Sequence, residues 1–369
     1  MSHSPLKTDG DHNPPLTKSV SATTSKSEPR IASKHNPFFE QVTTSSTTPI
    51  AVALVVSCIV LSIANDRFFT AGNLLNILNQ SAVVGIAAVG ATFVIITAGI
   101  DLSVGSNIAI SGMVAAVFAS MTGNGVLAIL LAVLVSVAMG AFNGASVAWL
   151  GLAPFIVTLA TLGMGRGLTL QMSQGQSVYD LPDSFNWIGS ASVFGIPFAS
   201  VLMVVIFIIG YLLLRHSVFG HKVYAVGGNR EAARLSGIKD KNTLFFVYCF
   251  AGLCAGLSAV VLVGRLGSAT PNAGDGIELQ VIAAVVIGGT SLMGGKGSML
   301  GTFVGVLLIG VINNGLTLMN VSPFWVQFVQ SAMIFVAVLL DSYNSRRISR
   351  RNLRSTRREL RARKEAKVS

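Results

Sequence analysis

The stretch Gly289–Ser298, GTSLMGGKGS, has the outline of a phosphate-binding loop. In such a loop glycine amides cradle phosphates, and a hydroxyl after the lysine holds Mg²⁺. The spacing fails. Where the first required glycine should stand there is Thr290, and Gly297 replaces the final hydroxyl. The segment is read as no ATP site, so any ATP must be used by a partner.

Two charges stand where charge is expensive. No charged residue occurs from Phe68 to Ile100, nor from Leu102 to Gly165, and Asp101 divides these runs. A charge at mid-bilayer costs at least about 2.5 kcal/mol, which makes Asp101 a functional candidate. At a span boundary it would instead serve as a helix cap. Arg166 lies within Gly163-Met-Gly-Arg-Gly. It could face a wet path, pair with an acid at the outer face, or snorkel to the interface.

The third place is a basic loop, Arg215–Asn242, containing Tyr224-Ala-Val-Gly-Gly-Asn-Arg-Glu-Ala-Ala-Arg-Leu-Ser-Gly-Ile238. Glu231-Ala232-Ala233 favours helix, and Gly237 closes it as a common terminator. A short helix at the membrane surface is expected, with Arg230, Glu231 and Arg234 exposed; the alternative is a plain basic connector. Cys58, Cys249 and Cys254 have neither zinc nor CxxC spacing, and the five histidines lie in the polar head and the basic loop. No metal constellation is expected.

The elements that hold these residues follow from composition. Hydrophobic residues make up 51% of the 369-residue chain and charged residues 11%, against about 25% charged in soluble domains. The excess apolar surface needs lipid as its solvent. The pattern predicts an all-α, polytopic membrane protein, with about ten spans near 49–65, 74–98, 102–121, 126–149, 154–172, 197–214, 243–264, 279–294, 298–319 and 324–341. The short 279–294 piece has a re-entrant alternative. Residues 1–48 read as a disordered head, 49–342 as the transmembrane domain, and 343–369 as an Arg-rich tail.

The net charge of +11 does not indicate nucleic acid. Eleven of the 26 Lys and Arg lie in Arg346–Lys367 and six in Arg215–Lys241. Basic residues flanking spans mark the cytoplasmic side and attract anionic lipid. Six crossings before Arg215 and four after it put the head, the basic loop and the tail on that side together. A bacterial plasma membrane location with both termini cytoplasmic is the expectation.

Many of the 38 glycines fall inside spans, where small residues let helix backbones approach. Asn143-Gly144 before Pro154-Phe155 is echoed by Asn314-Gly315 before Pro323-Phe324, each pair after a Gly-rich interruption at 99–105 or 288–297. Transporters are often built from repeats, although the second interruption lies closer to its Asn-Gly pair.

Glu231-Ala-Ala-x-x-x-Gly237 resembles the coupling motif of ABC importer permeases. The longer GGNREAARLSGI is similar to the ribose, xylose and arabinose branch, as are GIDLSVGS at 99–106, FIVTLATLGMGRGL at 155–168, PNAGDGIEL at 271–279 and IAAVVIGGTSLMGGKGSMLGT at 282–302. The likeness spans about residues 68–342. The broader signature's Ile-x-Leu-Pro is missing after Gly237, so contacts past the core motif are not carried over. The resemblance implies a non-enzymatic transporter subunit that binds no cofactor itself. Its partners would be an ATP-binding subunit, an extracytoplasmic sugar-binding protein and a second permease copy, identical or similar. It further implies that Gly228, Asn229, Arg230, Glu231, Ala232, Ala233, Arg234 and Gly237 form the ATPase-coupling loop.

A wet path for an uncharged polyol calls for amides, hydroxyls and aromatic groups. Asp101, Asn143, Phe155, Arg166, Asn313 and Asn314 are the pathway candidates, with Asn79 and Gln80 also suited to line it; core packing is the alternative for each uncharged one. Rival readings are an ion-coupled secondary transporter, for which Asp101 is the one acid deep enough, and a channel or structural membrane protein. Within the family, a permease for another pentose, a hexose or a sugar-derived signal also fits.

Overall fold

The computed structural model describes residues 48–322, 324–336 and 338–339. The expected head and tail therefore lie, apart from Thr48, outside the described residues. Helices dominate: α1 Thr48–Ala64, α2 Ala71–Ile96, α3 Val104–Thr122, α4 Gly125–Ala148, α5 Pro154–Ser173 and α6 Asp183–Ser190. A two-stranded antiparallel ribbon, β1 Ser192–Val193 and β2 Ile196–Pro197, precedes α7 Phe198–His216. Then come α8 Val218–Gly228, α9 Arg230–Leu235, α10 Asp240–Leu266, α11 Ile277–Ile287, α12 Met299–Leu318 and α13 Phe324–Val336.

Helices α2, α3, α4, α7, α10 and α12 are long and apolar enough to cross a bilayer. The anticipated ten is thus not reached by length and composition among the described residues. Apolar α1, α11 and α13 are shorter than these six. Helix α11, at 11 residues, is only about 16 Å long, well short of a hydrocarbon core of about 30 Å. It stops because Gly288 and Gly289, the latter at φ +89°, begin an irregular segment that runs to α12. Helix α5 has the length, but Arg166, its glycines and its hydroxyls keep it outside the apolar set.

Helices α2 and α10 form the centre. Seventeen residues of α2 are buried, including Phe93, Val94 and Ile95. Small residues set the contact of α4 with α10. A methyl group on Gly140 would overlap the Tyr248 carbonyl, and one on Gly252 would press on the Ser136 carbonyl. Ser136 Oγ donates to Gly252 O at 2.6 Å, tying the two helices across the contact. In lipid, where burying apolar side chains gives little net drive, backbone proximity and such bonds hold helices together. The periphery is apolar and exposed, as at Leu134, Ile156 and Ile208, a surface suited to lipid.

Candidate functional site

At one end of the bundle the basic loop folds as α8, α9 and the entry to α10. Asn229, extended at φ −159°, ends α8 and caps α9, its Oδ1 accepting from the Ala232 amide at 2.9 Å. Gly237 closes α9 at φ +83°. The Gly237 amide donates to Arg234 O and the Ile238 amide to Ala233 O, both at 3.0 Å. Those two bonds satisfy the final carbonyls in the Schellman arrangement. Ala233 is buried, whereas Arg230, Glu231, Ala232, Arg234 and Leu235 face outward. Arg230 Nε reaches Asp240 Oδ2 at 2.7 Å and binds α9 to the start of α10. The expected surface helix is therefore present, and it presents one acid, two bases and an 89%-exposed leucine.

The helix before it, α8, rests on backbone. The segment joining α11 to α12 packs against the last turn of α2 and the end of α8. Gly295 N donates to Ile96 O at 2.8 Å, and Tyr224 OH donates to Gly297 O at 2.9 Å. Burial pushes the Tyr224 phenol up, against the opposing pull of Arg215, so it stays a neutral donor. The phosphate-loop lookalike is thus a packing element here: Gly294 and Gly295, both at positive φ, lie against Ala98 and Gly228.

The pathway candidates do not gather in one place. Asp101 and Asn143 meet in a buried chain: Asn143 Nδ2 donates to Ser103 Oγ at 2.8 Å, and Ser103 Oγ donates to Asp101 Oδ1 at 2.6 Å. Asp101 also takes the Ser103 amide at 2.8 Å, one turn before α3. Arg166 is anchored by Ala273 O at 3.0 Å and by Asp275 at 3.3 Å. Phe155 is 50% exposed at the start of α5. Asn314 exchanges two amide bonds with Asn73, each 2.9 Å, and so fastens α12 to α2.

Asn313, and Gln80 from the residues also suited to a lining role, line a cavity of about 210 Å³ together with Ser81, Arg265 and Gln280. Arg265 and Gln280 escaped the sequence reading. Arg265 stands at the end of a long apolar run, and Gln280 interrupts a short one; an isolated polar residue in apolar sequence was the available signal.

A bundle with six helices long and apolar enough to cross a bilayer is that of a multi-pass membrane protein. The branched-chain amino acid transport system / permease component family matches residues 73–338, and the chain belongs to that family. It is 42% identical to the ribose import permease protein RbsC of Escherichia coli (strain K12) over 295 residues, 79% of this chain and 92% of that protein. The ribose import permease protein RbsC of Bacillus subtilis (strain 168) is 43% identical over 296 residues, covering 80% and 92%. The D-allose transport system permease protein AlsC of Escherichia coli (strain K12) is 40% identical over 291 residues, covering 79% and 89%. No solved structure matches the chain. Family membership makes it a transporter component rather than an enzyme.

Proposed function

We propose that this chain is the membrane-spanning subunit of an ABC importer for a small, ribose-type monosaccharide. The observation that carries the reading is α9: a rigidly capped helix whose exposed Glu231, Arg234 and Leu235 form a docking face for an ATPase subunit. The names of the relatives support the sugar, and the mismatched Gly289–Ser298 loop supports ATP use by the partner alone. By the distribution of basic residues, α9 and both termini face the cytoplasm. A sugar-binding protein delivers cargo on the other side, and two permease copies complete the pathway.

The chain's work is differential stabilisation of outward- and inward-open states. ATP binding on the partner moves α8 and α9, and the backbone junction at Ile96 and Gly295 carries that movement to α2 and to the α11–α12 segment. Co-purification from detergent-solubilised native membranes tests the reading. Recovery of an ATP-binding cassette protein, lost on Glu231→Lys, is expected. A chain that purifies with no ATPase overturns the proposal.

A further inference from the structure

We propose that the cavity between α2, α10, α11 and α12 is a subsite for a neutral monosaccharide, contained within a single subunit. The inference rests on the importer reading and goes beyond it by assigning binding to specific side chains. The cavity, about 210 Å³, is below the roughly 300–1,000 Å³ typical for drug-sized ligands. It is a half-open pocket whose rim residue Gln80 is exposed, so a small ligand can reach it from outside.

Its lining has a definite chemistry. Gln80, Gln280 and Asn313 bring three amides from three helices, each offering both donor and acceptor atoms. A sugar hydroxyl likewise gives and takes a hydrogen bond. Ser81, 3% exposed, has an Oγ without a protein partner among the described residues. The amides are loosely paired: Asn313 Nδ2 reaches Gln280 Oε1 at 3.5 Å, while Gln330 Nε2 holds Asn313 Oδ1 at 2.9 Å. A loose pair at the edge of hydrogen-bond range exchanges readily for bonds to a ligand. Between the polar groups, Val84, Leu262 and Ile309 supply apolar walls for the C–H faces of a sugar ring.

Arg265 sets the sign of the ligand. Its Nη1 donates to Asn79 O at 3.2 Å, and it has no ion pair among the described residues. No carboxylate lines the cavity, so a cation is disfavoured. The Asn79 carbonyl takes one of the five guanidinium N–H groups, leaving others to donate to a ligand hydroxyl, and the three amides, with donors and acceptors both, suit a hydroxyl-rich neutral ligand.

The test uses the full complex in proteoliposomes with its ATPase and binding protein. Gln80→Cys, at the exposed rim of the cavity, is labelled with a small thiol reagent, with the parent chain giving the background from Cys58, Cys249 and Cys254. Millimolar ribose is expected to slow labelling of the Gln80→Cys chain several-fold, and ribonate, its acid counterpart, to have little effect. Gln280→Ala and Arg265→Gln are expected to lower uptake about ten-fold and to change the ribose-to-allose uptake ratio, with stimulated ATP hydrolysis retained. Absence of protection by ribose, stronger protection by ribonate, or an unchanged ratio overturns the subsite. Absence of ATP-driven sugar uptake by the wild-type complex overturns the importer reading instead.

Discussion

Gly227 lies so close to the carbonyl of Ile96 that a methyl group on it would overlap that oxygen. The same carbonyl accepts from Gly295 N at 2.8 Å. Three segments distant in sequence thus meet at one backbone oxygen: the end of α2, the end of α8 and the α11–α12 connection. Hard backbone contacts transmit displacement with little slack, because packed interiors rearrange between discrete arrangements rather than deform continuously. A junction of this kind suits the passage of movement from α9 into the membrane.

The neighbouring glycines make the first prediction sharp. Gly227→Ala forces the junction apart and is expected to destabilise the chain by about 1–3 kcal/mol, as overpacking does. Gly228→Ala meets nothing within 4 Å and should leave stability near wild type. Thermal unfolding of the two purified variants in detergent checks the contrast, and equal behaviour would remove the junction from the account.

Gly237 yields a prediction that separates backbone strain from packing. It has open space around its Cα but a φ of +83°, a region that costs roughly 1–2 kcal/mol for an ordinary L-residue. Asn tolerates it best among non-glycine residues. ATPase recovery in the pull-down should therefore fall in the order Gly, Asn, Ala, Val at position 237. Equal recovery for Ala and Gly would mean the Schellman closure of α9 does not matter to docking.

Arg230 and Asp240 differ in exposure, and the asymmetry decides which substitution hurts more. The side chain of Arg230 is 48% exposed and that of Asp240 13%. Arg230→Ala removes the ion-pair partner of a nearly buried carboxylate and leaves it the Lys241 amide and the charge of Arg234, a loss of about 1 kcal/mol. Asp240→Asn removes the charge and returns Arg230 to water, and should cost less. Denaturant or thermal midpoints of the two variants and the double variant would show the coupling; independent, additive effects would contradict it.

Much of this arrangement was readable from sequence where the signal is local. The Glu231-Ala-Ala run and Gly237 sit within seven residues, so a short helix closed by Gly237 could be anticipated, whereas the Asn229 cap emerged only from the structure. The apolar runs likewise mark most helices to within a few residues. What could not be read was convergence. Asn314 looked like a lining residue, yet it pairs with Asn73 across 241 positions, and nothing near either reports the other. The cavity draws Gln80, Arg265, Gln280 and Asn313 from four helices, a meeting set by helix rotation and tilt. The count of ten is not confirmed among the described residues: Gly288 and Gly289 end α11 early within an apolar stretch, and α1, α5 and α13 also stay outside the membrane-length apolar set.

Asp101 gives the last prediction, and it separates ATP-driven import from ion coupling. In the structure Asp101 Oδ1 accepts from both the amide and the hydroxyl of Ser103, and Ser103 in turn accepts from Asn143. An asparagine at 101 keeps a carbonyl oxygen able to take both Ser103 bonds, so the turn before α3 survives without the charge. Ser103→Ala breaks the chain in the middle and leaves Asn143, fully buried, without its acceptor, at about 1–3 kcal/mol. If Asp101 organises the turn, Asp101→Asn retains ATP-dependent uptake while Ser103→Ala loses stability. An ion-coupled carrier needs the titratable carboxylate and predicts the reverse: Asp101→Asn abolishes uptake outright, and wild-type uptake fails when the proton gradient is collapsed with ATP present. Uptake in proteoliposomes with and without an uncoupler, run on both variants, distinguishes the two.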